Sequence, residues 1–168
     1  MSKQPPLLPV EMLRRVIRVA RTNGTCVMVI SSLAALAAAA GQDRLDTFIG
    51  LAVAGTAAME LHGTILIAGG EWRGFRWLVF SQFLLLAVML GYAYYRMSHI
   101  DLAAISQLVP DSVWQQMPHP GQSLEEAKRS LGVGMYFLVA LGTIAYQGGM
   151  ILYYALRGRA VRTALPQE

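Results

Sequence analysis

Apolar and polar positions follow one another along this chain in long blocks rather than in the two-residue alternation of strands. Four apolar blocks, residues 23–41, 47–70, 77–96 and 131–156, each reach or approach the roughly 20 residues a helix needs to cross a bilayer. The first three are separated only by short polar turns, QDRLD at 42–46 and EWRGFR at 71–76. Ahead of the first block, residues 10–22 set Met12, Leu13, Val16, Ile17 and Ala20 on one helical stripe. Arg14, Arg15, Arg18 and Arg21 lie mostly off it, the pattern of an interfacial amphipathic helix. Residues 1–9 are proline-rich and predict irregular chain.

The one long polar interval, residues 97–130, carries Leu102, Ile105 and Leu108 as a weak amphipathic turn before Pro110, Pro118 and Pro120 interrupt it. Ser123 and Glu126 then form a capping-box signature, so the last helix is predicted to begin near Leu124, outside the membrane. The basic tail, residues 157–168, is expected to fray. The fold predicted is all-α, one integral membrane four-helix bundle over residues 1–168. It has an N-terminal interfacial helix and a partly helical extracytoplasmic loop between spans three and four.

Composition agrees with this pattern. The chain is 55% hydrophobic and 14% charged, with a mean hydropathy of +0.43, too apolar for the surface of a soluble domain. A net charge of +4 would suggest nucleic acid in a soluble protein. Here the Lys and Arg cluster beside the spans, so the partners expected are the lipid bilayer, further copies of the chain or other membrane helices, and no nucleic acid. Cys26 stands alone, which excludes an intramolecular disulfide. The alanines before Gly41 also fit a signal-peptide cleavage site, but the basic segment ahead of them is long for that role. Trp72, Trp77, Tyr92, Tyr94 and Tyr95 fall near span ends, where amphipathic rings favour the headgroup level. Ten of the 14 Lys and Arg lie on the side of the termini, against Arg44, Arg96, Lys128 and Arg129 on the other. The positive-inside rule then expects a multi-pass cell-membrane protein with both termini cytoplasmic.

The candidate chemistry sits in the second block, which holds Glu60 and His62. An ionisable group there costs at least roughly 2.5–3.5 kcal/mol on insertion scales, which makes it a functional candidate. Of 14 basic and 10 acidic residues, only Glu60 falls deep within a span. No span offers it a basic partner, so burial favours the neutral acid. Two readings stay open: a neutral acid gluing helices by a hydrogen bond, or a group that handles protons or ions. At roughly 100° per residue, Val53, Thr56, Ala57, Glu60, Thr64 and Ile67 share one face. His62 falls opposite, with Leu51, Gly55, Ala58 and Gly69, so the two do not form a dyad.

The fourth span repeats the division. Tyr136, Ala140, Thr143, Gln147 and Tyr154 make a polar stripe, while Leu138, Gly142, Ala145 and Gly149 lie opposite as a helix-packing face of small residues. Gln147 matches Glu60 in depth, Ser31 and Ser32 come close, and Gln82 is shallower, the leucine-rich remainder of the third span being expected to face lipid. The polar layer expected is therefore Glu60, Gln147, Thr143 and one serine, with Ser31 a candidate. Each hydroxyl, those of Thr56 and Thr64 included, has the alternative of bonding its own helix backbone.

A haem held through His62 would need a second axial ligand from a symmetry mate, because His99 and His119 lie in the long loop. A neutral histidine at a helix interface is the simpler reading. Zinc-ligand spacing, a phosphate-binding loop and a nucleophile elbow are all absent, so neither metal nor cofactor is expected. An enzyme ranks third among the function classes. The leading expectation is a small oligomeric transporter or ion-conducting protein using Glu60. The alternative is a non-catalytic subunit or assembly partner of a larger membrane complex. The charge count sets the topology: in a Cys26→Ser background, single cysteines near Gln42 and Ser112 should label from outside the cell. Cysteines at Lys3 and Gln167 should be protected, and a cytoplasmic Ser112 would overturn the orientation.

Overall fold

The computed structural model describes residues 9–108, 113 and 123–165. Within them the chain is helical and contains no strand. The helices are α1 (Pro9–Ala40), α2 (Arg44–Ala68), α3 (Arg73–Ser98), the short α4 (Leu102–Leu108) and α5 (Leu124–Ala164). Four of them, α1, α2, α3 and α5, are long and apolar enough to cross a membrane. The expectations for residues 1–8, for the three loop prolines and for His119 lie outside the described residues.

Local chemistry explains each boundary. Pro9 heads α1, where a missing amide donor forfeits nothing. Asp43 caps α2, its carboxylate accepting the Asp46 amide at 3.0 Å. Gly70, at φ 92°, closes the turn into α3 in a conformation that favours glycine. Ser123 and Glu126 form the predicted capping box: the Ser123 amide donates to Glu126 Oε2 at 2.9 Å, and the Glu126 amide to Ser123 Oγ at 3.3 Å.

Two features differ from the sequence expectation. The segment expected as a separate interfacial helix and the first span form one unbroken helix, with Asn23 and Gly24 buried where they join. The basic tail does not fray before Ala164. Val161 and Leu165 extend the stripe of Tyr154 and pack against Val16, Ala20, Ile67 and Phe75, which holds the last turns in place.

The chain divides into two compact units, Met1–Val88 with Tyr146–Glu168, and Met89–Ala145. In the second, α4 lies over α5: a Cβ on Gly132 would come 2.6 Å from Ile105 Cδ1. Lys128 also donates to Ser106 Oγ at 2.9 Å. Tyr92 meets Tyr136 edge to face in this unit.

The first unit holds the candidate site, and its helices touch through small residues. A Cβ on Gly50 would lie 2.8 Å from Ala35 Cβ, which sets α1 against α2. A Cβ on Gly63 would lie 2.8 Å from the Gly74 carbonyl and 2.9 Å from Trp77 Cβ, so α2 and α3 touch backbone to backbone. Gly55, by contrast, has nothing within 4 Å of its Cβ position. Gly63→Val should therefore destabilise the fold by about 1–3 kcal/mol through overpacking. Gly55→Ala should shift stability by no more than about 1 kcal/mol. Thermal unfolding in mild detergent measures both, and equal melting of the two variants would contradict the close contact.

Candidate functional site

Burial along α2 follows the predicted face: Thr56, Ala57, Glu60, Thr64 and Ile67 are buried, joined by Gly50 and Gly63. His62 is exposed on the other side, its ring edge against Trp77 with centroids 5.6 Å apart. Gly55 and Ala58 are exposed with it. At a rise of about 1.5 Å per residue, Glu60 lies about 12 Å from the Ala68 end of α2 and about 24 Å from Arg44. It sits off centre, towards the end of the unit where the arginines of α1, α3 and α5 gather.

The Glu60 side chain is 1% exposed and both carboxyl oxygens are hydrogen-bonded. Asn23 Nδ2 on α1 donates to Oε2 at 2.8 Å, and the Tyr154 hydroxyl on α5 donates to Oε1 at 2.7 Å. The amide is held in turn, because the Tyr146 hydroxyl donates to Asn23 Oδ1 at 2.6 Å. Gln82 on α3 is fully buried with its amide beside the same carboxyl. Neither of its polar atoms completes a hydrogen bond of good geometry. All four long helices thus send a polar side chain to one place, and no cationic side chain is among them.

The site differs from the expected polar layer. Gln147 is buried with its carbonyl oxygen unpaired, and it is not among the partners of Glu60. Thr143 belongs to the other unit. Ser31, Thr56 and Thr64 turn their hydroxyls to their own helices, on the carbonyls of Met28, Val53 and Glu60. These bonds use the single donor of each hydroxyl locally and leave no hydroxyl donor for a shared layer. Gln82, expected to be shallower than Glu60 and outside the layer, is fully buried beside it.

Asn23, Tyr146 and Gln82 were absent from the expected layer, and Tyr154 was only part of a stripe. One signal was available for Asn23: the stripe of Val16 and Ala20 continues at helical spacing through Asn23 to Ser31 and Ala35, all buried. Among the described residues, no three His, Cys, Asp or Glu side chains gather as a metal site would require. Comparison with protein-family models, curated proteins and solved structures finds no match to this chain.

The two tyrosines of this network differ in exposure, Tyr154 buried and Tyr146 half-exposed, and their removal should differ accordingly. Tyr154→Phe leaves Oε1 without its partner inside the unit and should cost roughly 1–3 kcal/mol. Tyr146→Phe removes a bond from a half-exposed side chain and should cost about 0.6 kcal/mol. Unfolding of the two variants in mild detergent checks the order, which reverses if Tyr146 rather than Tyr154 is the anchor.

Proposed function

We propose that this chain is a small multi-pass membrane transport protein in which Glu60 takes up and releases a proton as part of the transport cycle. The observation that carries the reading is the pairing of the carboxyl with neutral partners only. With Glu60 ionised, both oxygens accept, one from Asn23 and one from Tyr154. With Glu60 protonated on Oε1, the acid donates to the tyrosine hydroxyl, which can accept as readily as donate, and Oε2 still accepts from Asn23. The same heavy-atom geometry therefore serves both protonation states, whereas an arginine or lysine partner would lock the carboxylate. The Gln82 amide beside it adds a further neutral polar group to the site.

The proposed setting is the cell membrane with both termini cytoplasmic, on the strength of the charge asymmetry. Glu60 then lies nearer the cytoplasmic face than the outer one.

A second reading, a non-catalytic subunit or assembly partner, is favoured by α5. Only 6% of its apolar span is buried, against 22–33% in the other three. A Cβ on Gly142 or Gly149 would meet nothing within 4 Å, and Ala145 on the same face is exposed. That stripe of small residues is open to another helix, from a further copy or a different protein.

Glu60→Gln separates the readings. The amide oxygen accepts from Asn23 and the amide nitrogen donates to Tyr154, so stability should change by no more than about 1 kcal/mol. Infrared difference spectra of membrane-reconstituted protein, recorded as pH changes, should carry an acid carbonyl band that the variant lacks. Identical spectra across the pH range in which the fold survives would overturn proton handling and favour the subunit reading.

A further inference from the structure

We propose that the first unit binds an anionic phospholipid in a groove along α3, with the headgroup phosphate on Arg73 and Arg76 and an acyl chain over Phe80 and Phe83. The groove encloses about 710 Å³, with these four side chains, Trp77 and Val79 among its walls. Arg73, Arg76, Phe80 and Phe83 recur at three- and four-residue spacing, which sets them on one stripe of the helix. Both arginines are exposed and neither holds a carboxylate among the described residues. Trp77, Phe80 and Phe83 are 38%, 55% and 52% exposed, so an apolar surface continues directly from the basic mouth.

Length fits one leaflet. From Arg73 to Phe83 the helix rises about 15 Å, half of a hydrocarbon core about 30 Å thick. Guanidinium groups at one end and phenyl rings through the next 15 Å match a phosphate followed by an acyl chain. Free phosphate would use only the mouth.

Charge selects lipid over a second copy. The end of the unit that bears the mouth also carries Arg14, Arg15, Arg18 and Arg21 on α1, and Arg157, Arg159 and Arg162 on α5. The acidic side chains in these segments are Glu11 and Glu71. Two copies meeting through this face would oppose like charges, whereas an anionic headgroup neutralises them.

Native mass spectrometry of the full chain, released from membranes holding equal phosphatidylglycerol and phosphatidylcholine of the same acyl chains, tests the proposal. The wild type should retain phosphatidylglycerol preferentially, and the Arg73→Gln/Arg76→Gln pair should reduce that retention about tenfold or more. Phe80→Ala/Phe83→Ala should lower retention too, and soluble glycerol phosphate should not displace the lipid. Arg14→Gln/Arg15→Gln serves as the control on the same basic end and should leave retention unchanged. Equal loss in that control would overturn the groove in favour of a diffuse surface field. Displacement by glycerol phosphate would reduce it to an anion site. Cross-linking of a cysteine at Phe83 to another copy would assign the face to self-association instead.

Discussion

A carboxyl withdrawn from water is expensive unless each of its oxygens finds a donor, and the first unit is arranged around meeting that demand for Glu60. One donor comes from α1 and one from α5, so the bonds close across helices far apart in sequence rather than along α2 itself. Hydrogen bonds to a charged group contribute about 1.5–3 kcal/mol, and leaving such a group unpaired costs more. The contacts of small residues at Gly50, Gly63 and Gly74 let α2 approach α1 and α3 closely. Packing brings the helices near, and the carboxyl fixes how they are turned about their axes.

The register of that packing carries a second consequence. Val16, Ala20, Ile67, Phe75, Val161 and Leu165 share one apolar cluster, so the basic halves of α1 and α5 lie beside the α2–α3 turn. Arginines of α1, α3 and α5 at this end are exposed, while the apolar cluster is buried. Trp72 stacks on Phe75 with centroids 4.8 Å apart, and Arg162 lies over the Trp72 ring. A belt of this kind favours the headgroup level and sets the depth of everything above it. The carboxyl, two turns beyond Ile67, inherits its depth from that belt.

What was legible in the sequence was whatever one helix can encode by itself. The buried face of α2, the place of His62 opposite Glu60, the shared face of Gly142 and Gly149 and the Ser123 capping box each follow from spacing within one element. What was not legible depends on register between helices. Asn23 fell at the edge of an apolar block, where hydropathy marks a boundary although the buried stripe runs straight through it. Gln82 was obscured by the leucines around it, which erase any sidedness from α3. Tyr146 and Tyr154 stand eight residues apart, about 12 Å along the helix, yet converge on Asn23 and Glu60. Long rings displace a hydroxyl well away from its own backbone level, and counting residues does not capture that reach.

The order in which these partners are synthesised matters as much as where they end up. Glu60 follows Asn23 by 37 residues and precedes Tyr154 by 94. At translation rates of about 5–20 residues per second, the carboxyl waits roughly 5–20 s for its tyrosine. During that interval the α1–α2 hairpin must hold an acid in the bilayer with the amide of Asn23 as its one partner from this network. The first two helices carry one of the two donors to the carboxyl, and the second donor enters only with the last helix.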